Sequence, residues 1–178
     1  MTVSDSQADM RRAYVGGGPG VFVSGLVWLA AWFVERSSGI SPAFLALFLG
    51  GMIIFPASTL IVRLLFRRQS EAAGNILGRT ALESTIAMLG GLLPAYLFLQ
   101  FEPTYVFPMA AIAVGTHYFV FRTVYGDALF WLLGAIISGL ALCDIFLTNA
   151  LPVSLILLVA VTELVFSVVL TVRDRSSA

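Results

Sequence analysis

Long apolar runs separated by short polar segments make up most of the chain. Six runs can be delimited, at about residues 15–34, 42–66, 80–99, 104–122, 128–147 and 151–172. Each is close to the roughly 20 residues that an α-helix needs to cross the hydrocarbon core of a bilayer. None shows the strict alternation of a half-buried strand, and the runs are too long and too uniformly apolar for a barrel. We therefore predict an all-α polytopic membrane protein, with six transmembrane helices (spans 1 to 6) in one bundle.

Composition agrees with this pattern. The 178 residues are 59% hydrophobic and 11% charged, and the mean hydropathy is +0.96. A soluble domain is about half apolar and a quarter charged, so the excess apolar surface has to face lipid. We expect a polar, loosely ordered N-terminal segment (residues 1–13), a transmembrane domain (14–173) and a short tail (174–178). The glycine-rich run at 16–20 lacks the Lys-Ser/Thr of a phosphate-binding loop and indicates an irregular helix start instead.

The ten basic residues are all arginine, and their distribution predicts the orientation of the chain. With six spans, both termini and the connections after spans 2 and 4 lie on one side. That side holds Arg11, Arg12, Arg63, Arg67, Arg68, Arg79, Arg122, Arg173 and Arg175. The opposite side holds Arg36 alone. Because positively charged connections stay in the cytoplasm, we predict that both termini are cytoplasmic.

Ionisable side chains recur in the cytoplasmic halves of five spans. His117, the one histidine, lies about 8 Å from the cytoplasmic end of span 4, and Glu163 lies about 13 Å from that of span 6, at 1.5 Å per residue. The other members of this candidate intramembrane polar site are Glu83, Arg63, Arg122, Asp127 and Thr59. Helical spacing puts the ionisable groups on faces with small or polar residues, where membrane helices pack closely. We therefore expect them to point into the bundle.

Two interpretations of this cluster stay open. In one, the protein is transporter-like or sensing, and the cluster is a proton- or ion-coupled small-molecule site open to the cytoplasm. Glu163 would then accept the proton or cation, His117 would be its titratable partner, and Arg63 or Arg122 would supply the counter-charge. Helix breaks at three prolines would expose backbone carbonyls beside such a site. These prolines are Pro56, Pro94 and Pro108.

The alternative is a structural or accessory membrane protein whose buried polar residues only lock the helices together. Glu163 would pair with His117 or an arginine, and Glu83 with Arg63 or Arg122. Buried ion pairs often contribute specificity of packing rather than net stability, so such a network needs no further role.

An enzyme is the least favoured class. One histidine and one cysteine, Cys143, cannot form a His- or Cys-rich zinc site, and the Gly-x-Ser-x-Gly and His-Glu-x-x-His motifs are absent. We expect no catalytic residue, metal, cofactor or nucleic-acid partner. The expected partners are the lipid bilayer and a small-molecule, proton or ion ligand, and the packing positions of span 5 are compatible with a homodimer.

Four motifs resemble those of a known family. They are residues 14–20 (YVGGGPG), 24–28 (SGLVW), 50–56 (GGMIIFP) and 115–126 (GTHYFVFRTVYG). The combination is similar to a bacterial family of small integral membrane proteins of unknown function, over nearly the whole chain. The resemblance implies a multi-pass bacterial membrane protein and brings no activity with it. We expect its location to be the bacterial inner membrane.

Overall fold

The computed structural model describes residues 1–147, 151 and 153–176. Its α-helices are α1 (Val3–Tyr14), α2 (Gly18–Ser38), α3 (Ile40–Leu65), α4 (Ile76–Phe101), α5 (Val106–Tyr125), α6 (Leu129–Phe146) and α7 (Leu155–Ser176). Short 3-10 helices at Val15–Gly17 and Pro103–Tyr105 precede α2 and α5. No strand occurs within these described ranges. Helices α2 to α7 correspond to spans 1 to 6 and are long and apolar enough to cross a membrane, so the all-α, six-span prediction is confirmed.

The two ends of span 6 differ from the prediction in extent. Helix α7 runs on to Ser176, into the segment expected to be a tail. Residue 152 of span 6, the preceding residues 148–150 and the last two residues of the tail lie outside the described residues.

The N-terminal segment is a helix, so the expectation of loose order was wrong. Helix α1 begins with a capping box: Thr2 Oγ1 accepts from the backbone N–H of Asp5, and Asp5 Oδ2 accepts from that of Thr2. Such a box satisfies two donors that would otherwise be free at the helix start. Met10 and Ala13 are buried against the bundle. Capping and this small apolar stripe order a segment whose composition alone indicates no structure.

The glycine run between α1 and α2 is irregular, as predicted. Val15, Gly16 and Gly17 all have positive φ, a conformation that glycine adopts without steric cost. There is also no room for a side chain at Gly17, because a Cβ there would lie 2.9 Å from the rings of Phe130 and Tyr125. The run therefore turns the chain sharply where it touches the aromatic core.

The prolines do not break the helices. Pro56 and Pro94 lie inside α3 and α4, and both helices continue past them. Pro108 lies in the first turn of α5, where backbone N–H groups have no intrahelical partner and a missing one costs little. Carbonyls exposed by helix breaks are therefore no part of the site in this structure.

Helices α2 and α5 are central to the bundle. α2 packs along α3 and α7, and α5 packs along α6 and α4. Each half of the chain thus contributes a pair formed by its first two spans, and its third span packs on the other half. α3 and α4 touch each other at few points and are the most exposed helices.

Glycines allow the closest helix contacts. A Cβ on Gly25 of α2 would lie 3.2 Å from the carbonyl oxygen of Ala160 on α7. A Cβ on Gly115 of α5 would lie 3.1 Å from the carbonyl oxygen of Gly134 on α6. Small residues at such positions let helix backbones approach and increase van der Waals contact, which drives helix association in membranes.

The N-terminus, the α3–α4 and α5–α6 connections and the end of α7 meet at one end of the bundle. Arg12 donates to the carbonyl of Ser70, and Gln7 donates to that of Thr123. We call this the arginine-rich end, defined by Arg11, Arg12, Arg63, Arg67, Arg68, Arg79, Arg122 and Arg173. Arg36 lies at the other end, where its guanidinium is 5.4 Å from the centre of the Trp32 ring.

Candidate functional site

A hydrogen bond between Tyr118 and Glu163 joins α5 to α7 inside the bundle. The Tyr118 hydroxyl donates to Oε1 of Glu163 at 2.8 Å. Glu163 is 0% exposed and Tyr118 is 4% exposed, so the pair is closed off from lipid and bulk water. The ring of Tyr118 stacks on Phe130 of α6, with ring centres 6.3 Å apart. Helices α5, α6 and α7 therefore enclose a carboxyl–phenol pair.

The Glu163 carboxyl has no charged partner within the described chain. Its second oxygen, Oε2, is buried without any hydrogen-bond partner. The buried Ser24 of α2 lies beside both Tyr118 and Glu163 and adds a third polar group. The ion pairs found among the described residues are Arg12–Asp9, Arg68–Asp174 and Arg173–Asp127. A carboxyl group so enclosed is far cheaper to bury as a neutral acid than as an anion.

His117 faces a different helix from Glu163. Its Nδ1 lies 2.7 Å from Oγ of Ser84 on α4, and its ring meets Phe121 edge-on at 4.4 Å. Adjacent residues on an α-helix point about 100° apart, so His117 turns to α4 while Tyr118 turns to α7. The expected pairing of Glu163 with His117 or an arginine is replaced by the contact with Tyr118.

Glu83 lies on an exposed face of α4. The next residue, Ser84, is buried and contacts His117, and the 100° between neighbours turns Glu83 away from α5. The expected ion pairs of Glu83 with Arg63 or Arg122 do not occur among the residues that the structure describes.

Thr59 and Arg63 are one helical turn apart on α3 and line the same cavity at the arginine-rich end. Arg63 is exposed, and its guanidinium donates to Oγ of Ser70 at 3.1 Å. The hydroxyl oxygen of Thr59 is buried and has no hydrogen-bond partner.

Arg122 and Asp127 lie around the α5–α6 connection. The exposed Arg122 places its guanidinium 5.3 Å from the centre of the Trp131 ring. Asp127 accepts from the backbone N–H of Leu129 at the start of α6, and its other oxygen lies 3.8 Å from Nε of Arg173. Of the seven predicted site residues, the structure thus brings Thr59 and Arg63 to one cavity and leaves the other five at separate positions.

The sequence did not indicate the direct partners of Glu163, which is buried, and of His117, which is partly buried. Tyr118 lies about 6 Å from the cytoplasmic end of span 4, close to the interface where tyrosines concentrate, so its position did not mark it as a buried partner. Ser84 and Ser24 carried no signal either, since serine is common at packing faces in membranes.

The described residues contain no group of three His, Cys, Asp or Glu side chains placed to hold a metal ion. The chemistry that the Tyr118, Glu163 and Ser24 groups offer is proton exchange and hydrogen bonding within a closed, apolar surrounding. The fold and this contact together indicate a multi-pass membrane protein with an enclosed polar contact among its helices.

The chain belongs to a family of unknown function, DUF7010, whose profile matches residues 3–173. No curated protein matches the chain, and no solved structure does.

Proposed function

We propose that the protein is a proton-responsive membrane protein, transporter-like or sensing, in which Glu163 takes up and releases a proton as the helices rearrange. One observation carries the proposal. Glu163 is fully enclosed, with one carboxyl oxygen bonded to Tyr118 and the other without a partner. An ionisable group in such a place is costly, which favours a role in moving or sensing charge.

Electrostatics links the proton to the conformation. In the closed bundle the neutral acid is favoured, because an isolated carboxylate in an apolar interior loses its hydration without compensation. An arrangement that admitted water between α5 and α7 would favour the anion. Protonation of Glu163 therefore has a different free energy in the closed and the water-filled arrangements. That difference shifts the equilibrium between the two.

His117, the packing of the two halves and the distribution of the arginines also support this proposal. His117 is the second titratable group near the pair, on the adjacent position of α5. The two halves of the chain pack in the same pattern, as in transporters built from inverted repeats. The clustering of the arginines at one end supports a cytoplasmic location for both termini, and the resemblance noted above supports the bacterial inner membrane.

A structural or accessory role is the second candidate, and a specific observation favours it. Both polar contacts tie separate helices together: Tyr118 to Glu163 across α5 and α7, and His117 to Ser84 across α5 and α4. In that case the carboxyl group would keep one protonation state under all conditions in which the protein is folded.

Infrared difference spectroscopy in liposomes separates the two candidates. Under our proposal, the spectrum contains a protonated carboxyl band that Glu163→Gln removes and that loses intensity between acidic and alkaline buffer while the protein stays folded. Glu102→Gln is the matched control, because Glu102 is exposed at the α4 end far from the pair. If Glu163→Gln does not fold, Tyr118→Phe keeps the carboxyl group and shifts its band. A Glu163 band that is absent or constant across the buffers would overturn the proposal and leave the structural role.

A further inference from the structure

A cavity opens at the arginine-rich end between α3, the start of α4 and the segment that connects them. Its volume is about 410 Å³, within the range of small-ligand sites. Its lining includes the charged and polar side chains of Arg63, Thr59, Arg79 and Glu71 and the apolar side chains of Phe55 and Leu82. The cavity does not include Tyr118 or Glu163, so it is separate from the contact discussed above.

The cavity carries a net positive charge. Arg63 and Arg79 both line it, and neither takes part in the ion pairs found in the described part of the chain. Arg68 also lines it and is 3.7 Å from Asp174. The one carboxylate in the lining, Glu71, already accepts from the Tyr14 hydroxyl at 2.7 Å. With the charge of Arg68 offset by Asp174, two guanidinium groups against one carboxylate favour an anionic ligand.

The lining changes from charged to apolar along the helix axes, away from the arginine-rich end. On α3, Arg63, Thr59 and Phe55 follow one another at four-residue intervals, which puts Phe55 about 12 Å from Arg63 along the helix. On α4, Leu82 lies one turn beyond Arg79. Phe55 and Leu82 are both exposed. A small soluble anion would contact the arginines alone and leave this apolar surface unused.

The unpartnered hydroxyl of Thr59 lies where the charged lining meets the apolar lining. Threonine hydroxyls in helices usually bond to a carbonyl one turn back, as Thr85 and Thr162 do here. That of Thr59 does not, and a small rotation of this buried hydroxyl toward the cavity would let it donate to an ester or phosphate oxygen. Beyond it, α3 and α4 touch at few points, so the gap between them is open to an acyl chain.

We propose that this cavity binds one anionic phospholipid. The phosphate would lie between Arg63 and Arg79, the ester region near Thr59, and the start of one acyl chain against Phe55 and Leu82. Basic pockets between membrane helices bind anionic headgroups in this way, and guanidinium groups form strong charge-assisted hydrogen bonds with phosphate.

Native mass spectrometry of the purified full chain tests this binding. The protein is titrated with phosphatidylglycerol, with phosphatidylcholine of the same chains, and with soluble glycerophosphoglycerol. The site variant is Arg63→Gln with Arg79→Gln, and the matched control is Arg36→Gln with Arg122→Gln, which removes the same charge outside the cavity. We expect the wild type to prefer phosphatidylglycerol, and the site variant to lose about 25-fold in affinity, or about fivefold for each arginine.

Three results would overturn the proposal: equal binding of the two lipids, an equal loss in the site and control variants, or equally tight binding of the soluble headgroup. Both site arginines are exposed, so the core is not disturbed by their replacement. Should the double variant aggregate, Arg79→Gln alone gives the same test with the fivefold expectation. Lipid binding at this cavity does not depend on Glu163. The experiment therefore tests the lipid site independently of the proposed proton-responsive role.

Discussion

The Tyr118 hydroxyl and the Glu163 carboxyl meet at 2.8 Å across α5 and α7, two helices that otherwise touch at few points. In lipid, such a bond has no competing water, and the groups that make it are costly to leave unpaired. The contact is therefore a direct link within the second half of the chain, between α5 and the span of that half that packs on α2 of the first half.

Tyr118→Phe tests the strength of this link. The substitution leaves Oε1 of Glu163 without its donor while the ring still packs on Phe130, so we expect a loss of about 1 kcal/mol in the free energy of unfolding. Unfolding in mixed micelles measures it. Tyr96→Phe is the matched control, because Tyr96 is an exposed tyrosine on α4. Equal stability of the two variants would show that the Tyr118–Glu163 bond contributes nothing.

The contact between His117 and Ser84 predicts non-additive mutations. His117→Ala and Ser84→Ala each remove one side of the 2.7 Å contact, so the double variant should be more stable than the sum of the two losses implies, by about 0.5–1 kcal/mol. The comparison pair is Ser84→Ala with Thr116→Ala, since the exposed Thr116 bonds only within α5. Additive losses in the His117–Ser84 pair would contradict the prediction.

Replacing either of two glycines on neighbouring helices by alanine should change the stability of the protein in opposite directions. A Cβ on Gly115 would meet the backbone of Ser138 and Gly134 at 3.0 and 3.1 Å, whereas nothing lies within 4 Å of one on Gly139. Gly139→Ala gains helix propensity of up to about 1 kcal/mol. Gly115→Ala must separate α5 from α6 and should destabilise the protein despite the same gain. Thermal unfolding in detergent measures both, and a stabilised Gly115→Ala would show that the two helices have room between them.

Hydropathy was sufficient to predict the six helices, because crossing a bilayer requires a length and composition that few other structures need. It was not sufficient to predict which residues meet. Glu83 and Ser84 are neighbours in sequence, yet one is exposed and the other is buried against α5. Lipid is as apolar as the side chains that pack between helices, so the pattern of a span does not distinguish its lipid face from its protein face.

Helix faces lined by small residues also do not show reliably which side of a span packs against other helices. Glu83 was expected to share a packed face with small residues of α4, yet Ala87 and Gly90, one and two turns further along that face, are exposed. The face that packs includes Leu92 and Ala95, which are buried. On α7 the rule succeeded, because Glu163 shares its buried face with Ala160 and Ser167. Small residues permit close packing but do not require it.

Asn75 lies between α1 and α4 and makes a different bond to each. Its Oδ1 accepts from the N–H of Leu77 and caps α4, while its Nδ2 donates to the carbonyl of Ser6 and to Asp9 of α1. Asn75→Asp keeps the acceptor and removes the donor, so we expect α1 to detach while the start of α4 stays intact. Asn75→Ala removes both functions and should loosen both helices.

Hydrogen exchange followed by peptide separates these two effects. In Asn75→Asp, amides of α1 should exchange roughly 30-fold faster, from about 1 kcal/mol for each of two lost hydrogen bonds. Repulsion between the new carboxylate and Asp9 adds to the loss. Amides at the start of α4 should keep the wild-type rate in Asn75→Asp and exchange faster in Asn75→Ala. If both helices loosen together in Asn75→Asp, then α1 and the start of α4 form one cooperative unit, and the separation of the two roles of Asn75 is wrong.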